Sequence, residues 1–160
     1  MVRVDVLAED DCPLRVVRLL ALATDPTAFG STYESERAQP EAFWRARLRS
    51  AARFLARHDD DPVGIVAGVA SPNGDGERQL DAMWVAPAWR GRGVGEDLAR
   101  AMLTWAEAYG AVAVSLTVGD GNDHARRLYE WLGFAPTGHR EPRPRDPSTW
   151  RERLRLSLPG

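Results

Sequence analysis

Residues 82–95, AMWVAPAWRGRGVG, join an apolar run to a helix through a glycine-rich loop. The run Met83–Val85 predicts the end of a β-strand, and the sequence from Val94 onward predicts a helix. Three glycines alternate with other residues in the loop: Gly91, Gly93 and Gly95. Glycine lets a ligand approach the backbone N–H groups, and a helix N-terminus attracts anions. Because Arg90 and Arg92 add positive charge that suits phosphate oxygens, this stretch predicts an anion-binding loop.

Two other kinds of phosphate-binding loop do not fit this sequence. The dinucleotide-binding fingerprint Gly-x-Gly-x-x-Gly includes a three-residue step, whereas the three glycines here are spaced two by two. The nucleotide P-loop requires Gly-Lys-Ser/Thr, and the chain contains no lysine. The loop is therefore neither a dinucleotide fingerprint nor a P-loop.

Length and composition indicate an ordinary soluble protein. A chain of 160 residues can bury a sizeable core, so we expect one domain over residues 1–160. A net charge of −2 gives no electrostatic reason to expect nucleic acid or an anionic membrane as a partner. The N-terminus is charged throughout, and no run approaches the roughly 20 apolar residues of a membrane helix. We therefore expect a cytoplasmic protein without a signal peptide.

The sequence does not have the residues of a metal site. The single Cys12 excludes an intrachain disulfide and a cysteine-based zinc site, and we expect it to be buried and structural. The three histidines are scattered without the spacing of metal ligands. We therefore expect no metal cofactor.

Hydrophobic periodicity and turn signals predict an α/β chain with the element order βααβββαβαββ. The predicted strands cover residues 2–6, 53–57, 63–70, 79–85, 112–118, 134–139 and 150–158. The predicted helices run from a cap at Asp10 or Asp11 to Ala23, from Pro40 onward, over 94–109, and from a cap at Asn122 or Asp123 to Trp131. The segments predicted as loops include 24–39 and 141–147. This order suits a mixed sheet of the α+β kind, flanked by helices.

A second motif covers residues 122–134, NDHARRLYEWLGF. Asn122 and Tyr129 are two helical turns apart, so both can face the same groove. The motif is similar to the pattern Asn-x-x-Ala-x-x-Leu/Phe-Tyr-x-x-x-Gly-Phe of the GCN5-related N-acetyltransferases, the GNAT family. Residues 90–95 resemble that family's Arg/Gln-x-x-Gly-x-Gly/Ala loop for the pyrophosphate of acetyl-CoA. Since the predicted element order also matches the family's core, the resemblance spans essentially the whole chain.

The resemblance implies acetyl-CoA as co-substrate. It implies that Asn122 binds the pantetheine arm or nearby backbone, and that the Tyr129 hydroxyl lies beside the CoA sulfur. A phenol is ordinarily protonated at neutral pH and can donate to a departing thiolate. In this family the fourth strand splays and offers N–H groups to the acyl carbonyl, which here implies Trp84 and Val85. The residues expected to bind acetyl-CoA are thus Trp84, Val85, Arg90, Gly91, Arg92, Gly93, Val94, Gly95, Asn122 and Tyr129. Without the resemblance, Asn122 reads as a simple N-cap and Tyr129 as a core residue.

The general base and the acceptor are less clearly marked. Asp81 is the first candidate base, because strand alternation could point it into the cleft; alternatively it is a solvated carboxylate. Glu34, Glu36 and an ordered water relay are the other candidates. By resemblance, the segment 24–39 forms the acceptor wall. Its expected substrate-binding residues are Phe29, Thr32, Tyr33 and Glu34.

Three arginines in the later predicted loop region, Arg140, Arg143 and Arg145, either favour a carboxylate or phosphate on the substrate or are solvated surface charge.

The predicted function is acetyl transfer from acetyl-CoA to the primary amine of a small molecule, by direct attack in a ternary complex. The alternatives are a protein N-terminal or side-chain amine as acceptor, and a non-catalytic module that binds acyl-CoA. The sequence leaves a homodimer open.

Overall fold

The computed structural model describes residues 2–7, 13–74 and 76–159. The strands within these residues are β1 Val2–Val6, β2 Ala52–His58, β3 Asp61–Ala70, β4 Glu77–Val85, β5 Ala113–Gly119, β6 Ala135–Arg143 and β7 Asp146–Ser157. The α-helices are α1 Pro13–Thr24, α2 Tyr33–Arg37, α3 Glu41–Ser50, α4 Val94–Ala108 and α5 Asp123–Trp131. A 3₁₀ turn covers Pro87–Trp89, between β4 and the glycine-rich loop.

The strands form one mixed sheet in the order β1-β2-β3-β4-β5-β7-β6. β4 and β5 are parallel, with Glu77 opposite Ala113, whereas β1 and β2, β2 and β3, β5 and β7, and β6 and β7 are antiparallel. The predicted mixed α/β sheet is therefore confirmed. Within the described part of the chain, one compact unit draws on residues 1–69 and 81–102, and a second draws on residues 70–80 and 103–160.

The core of the first unit is built on one face of α1. Leu14, Val17 and Leu22 are buried at helical spacing and pack with Leu55 of β2 and Trp84 of β4. Full burial of one such aliphatic side chain is worth about 1.5–3 kcal/mol relative to exposure. This cluster therefore supplies much of the stability that holds α1 to the sheet.

One glycine on β3 permits close packing against α4. A Cβ at Gly64 would lie 2.9 Å from Leu98 Cδ1 and 3.0 Å from the Trp84 carbonyl oxygen. These separations are shorter than ordinary van der Waals contact, so a larger residue there would push α4 away from the sheet. Gly64 thus fixes how closely the start of α4 lies to β3 and β4.

The core of the second unit is centred on β5. Ala113, Val114, Leu116 and Val118 are buried, as predicted for a continuous apolar strand, and Leu154 lies opposite Leu116 on β7.

The predicted loop over residues 24–39 contains a short helix, so the predicted element order is wrong by one element. α2 begins after Thr32, whose hydroxyl accepts a hydrogen bond from the Ser35 N–H at 3.2 Å. Position 35 is serine, and the reciprocal glutamate of a capping box is therefore missing from this helix start. An N-cap threonine without that glutamate is only half of the usual signal for a helix N-terminus.

The predicted loop over residues 141–147 is also wrong. β6 continues to Arg143 and β7 begins at Asp146, so a tight hairpin joins them. Pro142 misled the prediction because proline interrupts most strands, yet β6 is an edge strand, where proline is tolerated. Arg140 and Arg143 therefore lie on a strand. The predicted caps at Asp10 and Asp11, and the predicted burial of Cys12, fall outside the described residues.

Candidate active site

The glycine-rich loop in the first unit turns at two glycines with positive φ angles. Gly91 and Gly93 have φ angles of +75° and +84°, in the left-handed region that favours glycine. A Cβ built at either position meets no atom within 4 Å, so the backbone angle rather than crowding requires glycine. α4 follows at once, with the Asp97 N–H bonded to the Gly93 carbonyl at 3.0 Å. The first turn of α4 therefore offers N–H groups that lack partners inside the helix, which is the arrangement of an anion site.

The side chains of both arginines in this loop already contact other residues of the chain. The Arg90 Nη2 donates to Asp25 Oδ2 at 2.7 Å, and its Nε donates to the Val85 carbonyl at 2.9 Å. The Trp84 indole N–H also donates to Asp25 Oδ2, at 2.8 Å. The Arg92 guanidinium lies 5.0 Å from the ring centre of Trp89. Both side chains are thus held on the protein surface, and Asp25 neutralises the charge of Arg90.

Asp25 is ionised more readily than an ordinary aspartate. Partial burial opposes ionisation, but the hydrogen bonds from Trp84 and Arg90 outweigh it and hold the pKa of the carboxyl below its usual value. Sequence reasoning missed Asp25. Its partners are 59 and 65 residues away, so no local pattern connects them.

Asp81 lies beside an irregularity in β4. Ala82 has a φ of +53°, and the Asp81 Oδ1 accepts a hydrogen bond from the Ala82 N–H at 2.9 Å. Leu80 and Trp84 of β4 are buried, whereas the side chain of Asp81 is exposed. The positive φ of Ala82 distorts β4 next to Asp81, so strand alternation alone does not fix the direction of the Asp81 side chain. Asp81 stays a candidate base as an exposed carboxylate on β4.

The predicted acceptor residues occupy different environments. Phe29 is buried, with the Arg18 guanidinium 4.6 Å from its ring centre. Thr32 caps α2, and Tyr33 packs against the first unit's core. Glu34 is exposed, with Arg37 at 4.0 Å. Thr32 and Glu34 are therefore the two members of this set that are open to solvent.

The side chain of Glu36 lies in a buried ionic cluster. Glu36 is 2% exposed, and Arg18 donates to both of its carboxylate oxygens at 3.0 and 3.1 Å. Arg47 donates to Glu36 Oε1 at 2.8 Å. Burial opposes ionisation, but the hydrogen bonds from Arg18 and Ser31 and the charges of Arg18 and Arg47 hold the pKa of Glu36 below its usual value. An anion so well satisfied is a poor proton acceptor, which disfavours Glu36 as the base. The arginine cluster consists of Glu36 and the three arginines near it, Arg18, Arg47 and Arg53.

The second motif, in the second unit, forms a capped helix. The Asn122 side-chain oxygen accepts from the Ala125 N–H at 3.4 Å. Tyr129 is 5% exposed and packs edge-to-face on Phe134, with ring centres 5.8 Å apart. Gly133, with a φ of +105°, follows the end of α5. The predicted N-cap and helix end are confirmed, and these contacts by themselves also match the structural alternative for Asn122 and Tyr129.

Arg140 is engaged in ion pairs on β6. It donates to Asp120, and to Glu152 at 2.9 Å. This geometry matches the alternative in which Arg140 is surface charge rather than a substrate ligand.

Residues 2–7, 13–74 and 76–159 contain no group of three or more His, Cys, Asp or Glu side chains arranged to hold a metal ion. None of the described helices combines the length and the apolar character needed to cross a bilayer.

Comparisons with known proteins agree with the resemblance. Residues 17–134 match the model of the Acetyltransferase (GNAT) family. N-acetyltransferase family 8 member 2 of Rattus norvegicus is 34% identical over 89 residues, 54% of this chain and 39% of the rat protein. The match therefore spans well under half of that relative's length.

Solved structures agree over nearly the whole chain. An acetyltransferase of the GNAT family from Streptococcus pneumoniae superposes with a TM-score of 0.81 at 18% identity, covering 99% of this chain and 100% of that one. A structure from Salmonella typhimurium with its cofactor acetyl-CoA gives a TM-score of 0.78 at 17% identity, covering 100% and 95%. At these identities the likeness shows the fold, and it confirms the predicted GNAT architecture.

Proposed function

The chain belongs to the GNAT family of acetyltransferases, and from this premise we propose that it transfers an acetyl group from acetyl-CoA to the primary amine of a small molecule. The observation that carries the proposal is the loop that precedes α4, with Gly91 and Gly93 in left-handed conformations. A loop whose glycines have no Cβ to block the backbone N–H groups, placed at a helix N-terminus, suits a pyrophosphate.

The chemistry of the donor set fits acetyl-CoA as co-substrate. The backbone of residues 90–95 and the first turn of α4 would hold the pyrophosphate, with Arg90 and Arg92 as adjacent positive charges. Trp84 and Val85 would lie along the acyl group and Asn122 along the pantetheine arm, as the family resemblance implies. Acetyl-CoA supplies the activated acyl carbon and the thiol leaving group.

We assign the remaining steps to this chain's own side chains. The amine nitrogen forms a bond to the acyl carbon while the carbon–sulfur bond breaks. The Tyr129 hydroxyl gives its proton to the departing sulfur, and a carboxylate takes a proton from the amine. We propose Asp81 for that carboxylate because it is exposed on β4, with Glu34 or a water relay as the other candidates. Phe29, Thr32 and Tyr33 would shape the acceptor side.

The first experiment measures CoA release across a panel of amines, with small amines and an unacetylated peptide as separate groups. We expect release with small amines above the rate without acceptor. Release only with the peptide would shift the acceptor to a protein amine. Tight acetyl-CoA binding without release on any amine would instead support the non-catalytic alternative.

Tyr129→Phe tests the proposed acid. We expect kcat to fall by about 10²–10⁴-fold, as is typical for a lost general acid, with nearly unchanged acetyl-CoA affinity. Tyr109→Phe is the matched control, because Tyr109 is 69% exposed and its ring packs on Trp105. A wild-type rate in the Tyr129 variant would make that residue structural only.

A further inference from the structure

The arginine cluster contains more positive charge than its enclosed carboxylate can pair. Arg18 and Arg47 each donate to both oxygens of Glu36. A carboxylate has about four lone-pair positions, so these donors together with Ser31 saturate Glu36. Arg53, on β2, is a third guanidinium beside this pair, and its buried Nε has no hydrogen-bond acceptor among the described residues. The Arg53 guanidinium therefore lacks a carboxylate that could accept its Nε proton.

The electrostatic environment of Arg53 agrees with this count. Burial, together with repulsion from Arg47 and Arg18, lowers the pKa of Arg53 to about 10, and Asp81 and Glu36 only partly offset these effects. An anion beside Arg53 would relieve the repulsion and satisfy its Nε. The cluster is thus poised to accept one more negative charge.

Ring contacts as well as the ion pair with Glu36 hold the Arg47 side chain. Arg47 lies 4.7 Å from the ring centre of Phe43 and 5.6 Å from that of Trp44. The Trp44 indole nitrogen is buried and, like the Arg53 Nε, has no acceptor among the described residues. Two buried N–H groups without acceptors, those of Trp44 and Arg53, therefore occur with an arginine whose position is held by an ion pair and ring contacts. Such preorganisation lowers the entropic cost of binding a ligand.

The cluster adjoins the segments proposed to handle the acceptor. Glu36 belongs to the segment 24–39, and Arg53 interacts electrostatically with Asp81, the proposed base on β4. A group bound at Arg53 would be part of the acceptor, since the pyrophosphate loop has its own arginines.

We propose that the acceptor is an amine that also carries a carboxylate, of the amino-acid type, and that Arg53 with Arg47 beside it binds that carboxylate. This proposal rests on the proposed acetyl transfer. The single negative charge of a carboxylate matches the one guanidinium that lacks a full partner. A phosphate monoester carries about −1.5 to −2 charges at neutral pH, which is more than that guanidinium can balance.

The test compares amines that carry the carboxylate with matched amines in which a carboxamide replaces it. The panel contains the common L-amino acids and β-alanine, each paired with its own carboxamide, and the readout is kcat/KM for CoA release. For the best pair we expect the acid to be favoured by about 10- to 100-fold, since the amide loses charge-assisted hydrogen bonds. Equal use of acids and amides by the wild-type protein would overturn the proposal. Phosphoethanolamine as a better acceptor than β-alanine would replace carboxylate with phosphate.

The variant Arg53→Met removes the guanidinium while keeping a long side chain. We expect the acid-over-amide preference to fall below about threefold through the acceptor KM, with the acetyl-CoA KM unchanged. Arg57→Met is the control: the Arg57 Nε on the same strand is also buried without a hydrogen-bond acceptor among the described residues, but it lies 3.9 Å from Asp5. A preference that persists in Arg53→Met, or is lost equally in Arg57→Met, would overturn the assignment. If Arg53→Met does not fold, Arg53→Lys takes its place and should lose part of the preference, because lysine lacks the planar fork.

A failure of acetyl transfer is distinguishable from a failure of this subsite. If no amine supports CoA release, the same acids and amides are tested as ligands by their effect on Tm. Acids that raise the wild-type Tm while their amides do not, with no such effect in Arg53→Met, would support the subsite without turnover. Acids that leave Tm unchanged in the wild-type protein would overturn it.

Discussion

The glycine-rich loop and the arginine cluster are both rich in arginine, yet they use it differently. In the loop, Arg90 is already bound by Asp25 and by the Val85 carbonyl, and the start of α4 offers backbone amides as further donors. In the arginine cluster the backbone is ordinary helix and strand, and a side chain, Arg53, retains an unsatisfied donor. The difference shows that a sequence motif can indicate which backbone N–H groups are available to bind an anion without indicating which side chains are.

The largest expected effect comes from breaking the arginine cluster with Glu36→Gln. Removing one partner of a buried ion pair costs about 3–5 kcal/mol, because the buried guanidiniums lose their counter-charge. For a chain of this size the Tm should fall by about 6–20 °C. Thermal unfolding of Glu34→Gln is the control, since Glu34 lies on the same helix but is exposed. Equal Tm values for the two variants would contradict a structural contribution of the cluster.

The next effect concerns the loop backbone. Gly93→Val should weaken acetyl-CoA binding by about 100-fold, equivalent to about 2.7 kcal/mol, because valine disfavours the left-handed angle and its Cβ would crowd a phosphate. Calorimetric titration with acetyl-CoA measures the loss. Gly138→Val is a matched control, as Gly138 has a φ of +90° and open space on β6. Unchanged affinity in a folded Gly93 variant would remove the loop from the cofactor site.

A smaller effect should appear in the dependence of stability on pH. The folded pKa of Glu36 lies below its ordinary value of 4.5, so its ionised form contributes stability above that pH. This contribution is lost as the pH falls from about 4.5 through the lower folded value. Glu36→Gln should therefore flatten the acid side of the Tm curve. A curve that keeps the wild-type slope would show that other carboxylates dominate acid unfolding.

The smallest effect is expected for Arg90→Ala. Backbone amides share the phosphate charge and Asp25 already neutralises Arg90, so acetyl-CoA affinity should fall by less than about tenfold, under 1.4 kcal/mol. The same titration gives the value. A loss as large as that of Gly93→Val would mean that Arg90 leaves Asp25 to bind phosphate, and the contrast between the two regions would weaken.

Local signals in the sequence predicted most of the framework. The buried β5 and the Asn122 cap each depend on a few neighbouring residues, and both predictions are confirmed. The glycine spacing of residues 91–95 is equally local, and the structure has positive φ angles at Gly91 and Gly93. The hairpin at 144–145 was missed because proline is tolerated only where a strand is an edge, and strand order is not a local property.

The sequence by itself determined the family, the mixed sheet and the loop before α4, because glycine spacing and hydrophobic periodicity act over short stretches of chain. Only the tertiary structure decided which charges meet. Arg18 and Glu36 are 18 residues apart, and Asp25 and Arg90 are 65 apart, so no periodic pattern records either pair. Burial and the neighbours that folding brings together decide whether the N–H groups of an arginine are all hydrogen-bonded. Arg90 therefore pairs with Asp25, whereas the Arg53 Nε has no acceptor among the described residues.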